Sequence, residues 1–355
     1  MRGVLALPPR LGGLGVANPQ EECEHEYAAS RKVSSPLTEQ ILQPPHSIQS
    51  YNVEGQKECR KAISQEKRQR TRDEAERLLQ KLPEQMERMV NLAAEKGASS
   101  WLAALPIDEH GFHLHKSAFR DAICLRYGWT PEHLPEKCIC GSHFSVEHAL
   151  TCSHGGFRFL RHNEIRDLTA KLLTEVCPNV KTEPELQPLT GENLTYTSAN
   201  RQDSARLDVR AQGFWGEQRQ DAFFDVRVFN PHAPSNRHSS LEACYRKHER
   251  EKRRSYDQRI REIERGSFAP LVFSATGGMG PAAQIVYKRL ASMISEKSSQ
   301  SYSTTMGWIR CRLSFSLLRS AIMCIRGSRS SYHHPIYPSV PIDVIAREGR
   351  VTDQQ

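Results

Sequence analysis

The chain is poor in aromatic residues and has no long apolar run. Phe, Tyr and Trp together make up 7% of its 355 residues, and the apolar share is 38%. That is low for one dense globule of this length, so polar, partly solvated segments are expected beside a real core. The longest apolar stretch, Leu313 to Ile325, is interrupted by Arg319. It is too short to span a bilayer and reads as a core helix or strand, so no membrane partner is expected. Near the N-terminus only Val4 to Pro8 is apolar before Pro9 and Arg10 follow, and no signal-peptide core is expected there. The turn Thr276-Gly-Gly-Met-Gly280 lacks the Lys-Ser/Thr of a P-loop. It reads as tight helix–sheet packing or as a backbone cradle for a phosphate. No internal repeat is present. Ten cysteines occur, but seven are dispersed, at 23, 59, 124, 177, 244, 311 and 324. This excludes a secreted disulfide framework and suits free thiols with one metal site in a reducing compartment.

What the chain does have is charge, unevenly placed. Lys and Arg number 49 against 41 Asp and Glu, a net charge of +8, with a pI near 9.0. This balance suits a polyanion or an anionic surface without choosing between them. The length allows about two or three domains. Residues 1–56 carry a glycine-marked turn (Gly12, Gly13, Gly15), a short helical pattern and a linker-like stretch over 44–56. Residues 57–135 are mainly helical, with Leu78, Leu79, Leu82, Met86, Met89, Val90 and Leu92 at helical intervals and a further helix over 117–127. Residues 136–156 form a compact Cys/His segment. Residues 157–325 read as an amphipathic helix (160–176), strand-like runs at 205–211, 222–229 and 269–274, a basic helix over 241–264 between the last two, and a helix ending near 297. Residues 326–355 read as a loose tail. This order predicts an α/β layer architecture with a small mixed sheet flanked by helices.

The Cys/His segment places Cys138, Cys140, His148 and Cys152 within fifteen residues. Zinc takes four such donors in a tetrahedron, Gly141 supplies a turn after the first pair, and His148 and Cys152 share one helix face at i and i+4. His143 or His154 could substitute for one ligand. The plain alternative is a chance cluster of buried thiols.

Two strand-like runs each hold one acid among apolar neighbours, Asp208 and Asp225. A carboxylate there is unfavourable unless something compensates it. If the strands pair, both acids converge at one sheet end and form a hard-oxygen Mg²⁺ site, with Glu183 available as a third carboxylate. The alternative is that each acid pairs with a neighbouring arginine or caps a turn. The basic helix that follows carries nine Lys/Arg and five Asp/Glu over 245–265. A lysine reaching back to such a site would orient water, and the remaining arginines would hold a phosphate backbone.

Taken together, the knuckle, the Arg161-His162-Asn163 helix start, the acids at 208 and 225, and the Lys252…Tyr256 helix resemble the C-terminal region of site-specific non-LTR retrotransposon polyproteins. These carry a restriction-like endonuclease of the PD-(D/E)xK superfamily. The likeness covers about residues 136–297, and the Leu-Pro-Pro-Arg-Leu-Gly-Gly start looks like the end of a reverse transcriptase thumb. No F/Y-x-D-D polymerase motif is present. The resemblance implies a PD-(D/E)xK core behind a zinc knuckle, nicking double-stranded target DNA in the nucleus with Mg²⁺, to prime reverse transcription. The element's own RNA is a second partner in that setting. It implies that Asp208 and Asp225 hold Mg²⁺, that Lys252 (or its neighbour Arg253) and Tyr256 act beside them, and that Glu183 assists. It also implies that Arg161, His162 and Asn163 lie along the DNA, while Arg253 and Arg254 are among the basic-helix arginines expected to hold the phosphate backbone. Leu207 stands where proline is usual. The competing expectation is a catalytically inactive, zinc-containing nucleic-acid-binding remnant.

Overall fold

Alternation of apolar residues along two strands decides how the larger part of the molecule is layered. The computed structural model describes residues 1–42, 53–216 and 220–327. Of the tail expected over 326–355, Arg326 instead ends the last helix and residues 328–355 lie outside them; of the linker expected over 44–56, residues 44–52 lie outside them and 53–56 begin a helix. The chain divides into two compact units, Met1–Ala94 and Glu95–Gln355. The division falls inside the segment 57–135.

The first unit is helical: α1 (Arg2–Ala6), α2 (Pro19–Leu42), α3 (Val53–Leu79) and α4 (Glu84–Ala94). The short helical pattern expected near the N-terminus is in fact 24 residues long and carries Pro36 inside it. Helices α2 and α3 run side by side in opposite directions, tied by the ion pairs Lys32–Glu66, Lys67–Glu26 and Arg70–Glu22. Among the described residues α2 buries none and α3 only Ala75, so this pair is held largely by solvated charge. Met89, Val90, Leu92 and Ala93 of α4 are the buried stripe.

The second unit contains α5 (Ser100–Ala103), α6 (Lys116–Tyr127), α7 (Val146–Thr151) and α8 (Phe157–Thr174), followed by β1 (Val180–Thr182), β2 (Val209–Gln212) and β3 (Asp221–Phe229). Then come α9 (Leu241–Glu262), β4 (Ser267–Ser274), α10 (Pro281–Ser298) and α11 (Tyr302–Arg326). The sheet order is β1-β2-β3-β4; β1–β2 and β2–β3 are antiparallel, and β3–β4 is parallel across the α9 crossover. The strand expected over 205–211 begins only at Val209, because Ala205 to Asp208 form irregular backbone with one isolated bridge, Glu185↔Arg206. β1 had no apolar alternation to mark it.

On one sheet face Val209, Ala211, Ala222, Phe224, Val226, Ala269, Leu271 and Phe273 meet the apolar sides of α8, α10 and α11. On the other, Phe223 and Phe268 meet Ile260 and Tyr256, while Phe229 and Val272 meet Cys244 and Tyr245 of α9. This period of two in β3 and β4 makes a helix–sheet–helix sandwich with the sheet buried on both faces. The run Leu313–Ile325 forms the buried half of α11, with Leu313, Phe315, Leu317 and Ala321 to Ile325 all in the core. No helix among the described residues is long and apolar enough to cross a membrane.

Candidate metal and nuclease site

The Cys/His segment folds back on itself through local hydrogen bonds. Cys138 N–H donates to the Ser142 carbonyl (2.9 Å) and Gly141 N–H to the Cys138 carbonyl (2.8 Å). Gly141 sits at φ +85°, a left-handed turn that a side chain would strain. Ser145 caps α7, its hydroxyl accepting from His148 N–H at 3.1 Å, which fixes the helix that carries His148 and ends at Cys152. The four donor atoms of Cys138, Cys140, His148 and Cys152 lie within 4.8 Å of one another. The Cys138–Cys152 sulfur separation is 3.8 Å, and Cys140 Sγ lies 3.3 Å from His148 Nε2. A tetrahedron with metal–sulfur bonds of about 2.3 Å and a metal–nitrogen bond of about 2.0 Å has edges of roughly 3.5–3.8 Å, so the set fits an ion such as zinc. The two thiols shift in opposite senses. Hydrogen bonds from Ser142 hold Cys140 down to about 6, whereas burial pushes Cys152 up. His143 is exposed and outside the group, and His154 Nδ1 lies 3.9 Å from Cys152 Sγ, also outside it.

The acids meet through sheet register. Thr182 pairs with Val209, and Val209 with Phe224. Glu183 and Asp208 follow and precede the paired residues Thr182 and Val209, and Glu183 N–H donates to the Asp208 carbonyl at 2.9 Å, while Asp225 follows Phe224 in β3. Each carboxylate has its own basic partner. Lys252 Nζ from α9 lies 2.6 Å from Asp225 Oδ2. His162 Nε2 from α8 lies 3.1 Å from Asp208 Oδ2 and 3.1 Å from the Val226 carbonyl, so that nitrogen is the donor to both. Asp208 Oδ2 also accepts from Val226 N–H at 2.6 Å. Arg166, one turn beyond His162, pairs with Glu183. Burial raises the Asp225 carboxyl to about 6; the Lys252 ammonium opposes this and the Asp208 charge adds to it. Burial alone would lower His162, but its hydrogen bond to Asp208 and that charge outweigh it and the net shift is upward.

Asp208, Asp225 and Lys252 are thus brought together. Glu183 adjoins them through its backbone, with its side chain turned to Arg166. Tyr256 packs by its ring against Phe268 (5.9 Å between centroids), and its hydroxyl accepts from Asn200 at 3.3 Å. Lys252 Nζ lies 5.9 Å from that ring. Among the described residues, the Cys/His set is the one group in which three or more ligating side chains converge.

The expected DNA-facing residues separate. Arg253 and Arg254 are exposed on α9, the latter over the Tyr196 ring. Arg161 is 4% exposed and directs Nη2 to the Val228 carbonyl at 3.4 Å. His162 turns its ring to Asp208, and Asn163 lies beside it, Oδ1 3.4 Å from His162 Nδ1. Arg166 was missed, although its i+4 spacing from His162 could have placed both on one helix face. The Gly-rich turn is packing, not a phosphate cradle. Gly278 N–H is bonded to Ser274 Oγ at 2.8 Å, and a Cβ there would meet Glu95 and the Tyr245 hydroxyl within 2.4 Å. Comparison with models of known protein families gives no match, and neither does comparison with curated proteins.

Proposed function

We propose that this chain is a metal-dependent DNA endonuclease of the retroelement, PD-(D/E)xK kind, with a structural zinc knuckle. The observation that carries the reading is that Asp208, just before β2, turns its carboxylate to Val226 N–H, next to Asp225 of β3, with Lys252 Nζ at 2.6 Å from Asp225. Asp208 and Asp225 would hold Mg²⁺ with hard oxygen donors, and Glu183 adjoins Asp208. When bound, the ion supplies positive charge to a phosphate oxygen and lowers the pKa of a water. The chain's own contribution is placement. His162 and Val226 N–H fix the Asp208 carboxylate, and burial beneath α9 excludes bulk water from Asp225. Lys252 brings an ammonium to within 2.6 Å of Asp225, where it would orient an attacking water. Exposed cations of α9 offer contacts to the phosphate backbone. The knuckle would take zinc, because three thiolates and an imidazole form a soft, closed set. The substrate would be duplex target DNA, nicked one strand per site in the nucleus, with the element's RNA as a second partner.

A second reading, an inactive zinc-containing nucleic-acid-binding remnant, draws on the basic side chain already paired to each acid. A plasmid-nicking assay separates them. With Mg²⁺ the full chain is expected to relax supercoiled plasmid, and Asp225→Asn or a chelator is expected to abolish relaxation. DNA retarded on a gel but cut by neither parent nor variant would sink the nuclease reading in favour of the remnant.

A further inference from the structure

Neighbouring carboxylates repel one another unless charge is supplied, and Glu183, Asp208 and Asp225 each have a basic partner. In this protein Arg166 serves Glu183, His162 serves Asp208 and Lys252 serves Asp225. A divalent cation entering this group competes with side chains already bound there. The Arg166–Glu183 pair is the one most open to exchange, because its carboxylate is the exposed one. His162 is locked twice, to Asp208 and to the Val226 carbonyl. Lys252 meets a carboxylate that is 8% exposed. The Glu183 side chain, by contrast, is 52% exposed. Its backbone is fixed by the bond to Asp208 O and sits at φ +48°, so only the side chain is free to turn. The Arg166 side chain is itself 12% exposed, its Nε is bonded to Asp167 at 2.8 Å, and the Asp208 charge also acts on it. A guanidinium held at that depth beside these acids is within reach of whatever anion replaces Glu183.

We propose that Arg166 is a displaceable counter-ion: in the free protein it holds Glu183 away from the metal position, and when Mg²⁺ takes Glu183 the guanidinium turns to a DNA phosphate. The inference rests on the nuclease reading of this site. No covalent step is involved; one ion pair is exchanged for two. Metal and DNA then bind with positive coupling, and linkage makes the effect reciprocal. A guanidinium suits this better than an ammonium, because its planar fork pairs equally well with a carboxylate or a phosphate.

The test is calorimetric titration of the full chain with Mg²⁺, combined with DNA affinity measured with and without Mg²⁺. Arg166→Gln is expected to bind Mg²⁺ more tightly than the parent by about fivefold or more, and to lose the Mg²⁺ enhancement of DNA binding that the parent shows. Asp208→Asn is the control and is expected to lose Mg²⁺ binding. If Arg166→Gln binds Mg²⁺ no more tightly while Asp208→Asn loses it, the counter-ion role is wrong and the metal site stands. If Asp208→Asn binds Mg²⁺ as the parent does, the site reading and the counter-ion role fall together. Should Arg166→Gln not fold, Glu183→Gln frees the arginine without altering it. That variant is expected to bind Mg²⁺ more weakly and metal-free DNA more tightly, and unchanged values for both would overturn the proposal.

Discussion

At the scale of single residues, chemistry depends on what each side chain touches rather than on its type. Cys140 and Cys152 are both candidate ligands, yet one thiol is held down by Ser142 and the other pushed up by burial. A metal ion removes this difference, because it binds both as thiolates and expels their protons. Cys152→Ser is expected to lose one bound zinc and about 3 kcal/mol or more of stability, since structural zinc in small peptides is worth on the order of 10 kcal/mol. Elemental analysis beside thermal unfolding checks this. His154→Ala should keep its zinc; loss there would mean that the donor set is not Cys138, Cys140, His148 and Cys152. His162 shows the same dependence on surroundings. In the sequence it belongs to a basic tripeptide, whereas in the fold it is the clamp on Asp208.

At the scale of elements, α9 performs two tasks on two faces. Its inner face closes the sheet with Tyr245, Tyr256 and Ile260 and sends Lys252 to Asp225. Its inner end carries Arg259, 1% exposed, which donates to the carbonyls of Gln187 (2.7 Å), Asn200 (3.0 Å) and Gln202 (2.9 Å). Those three carbonyls belong to the long β1–β2 connection, where the buried guanidinium ties together segments far apart along it. Arg259→Leu is expected to cost about 3 kcal/mol, because charged hydrogen bonds are lost and carbonyls are left unpaired. Urea unfolding reads the energy, and protease cleavage should appear between residues 187 and 202. Unchanged cleavage there would show that the loop is held by other contacts.

For the molecule as a whole, the net charge of +8 matters through its distribution. The outer face of α9 exposes Arg246, Lys247, Arg250, Arg253 and Arg254 within nine residues. If that face tracks a phosphate backbone, DNA affinity falls steeply with salt. Replacing both Arg253 and Arg254 by Ala is expected to weaken binding alike on unrelated sequences and to reduce the log–log salt slope by about two. A slope equal to that of the parent would move the DNA path away from α9.

Much of this architecture was legible in the sequence, and the reason is local. Periodicity marked α8, α9, α10, β3 and β4 because each buries one face or both, and burial demands apolar residues at a regular step. The Cys/His group was legible because its four ligands lie within fifteen residues, so short-range turns suffice to gather them. β1 and the start of β2 were not legible: β1 has three residues with mostly exposed side chains, and its place comes from pairing alone. The acid group shows the division most clearly. Asp208 and Asp225 stood out as charges in apolar runs, but Glu183 joins them, and His162, Arg166 and Lys252 meet them, only through register and helix docking. Charge pairs between residues 17 to 46 positions apart leave no periodic trace, because their energy depends on where whole elements pack and not on the chain between them.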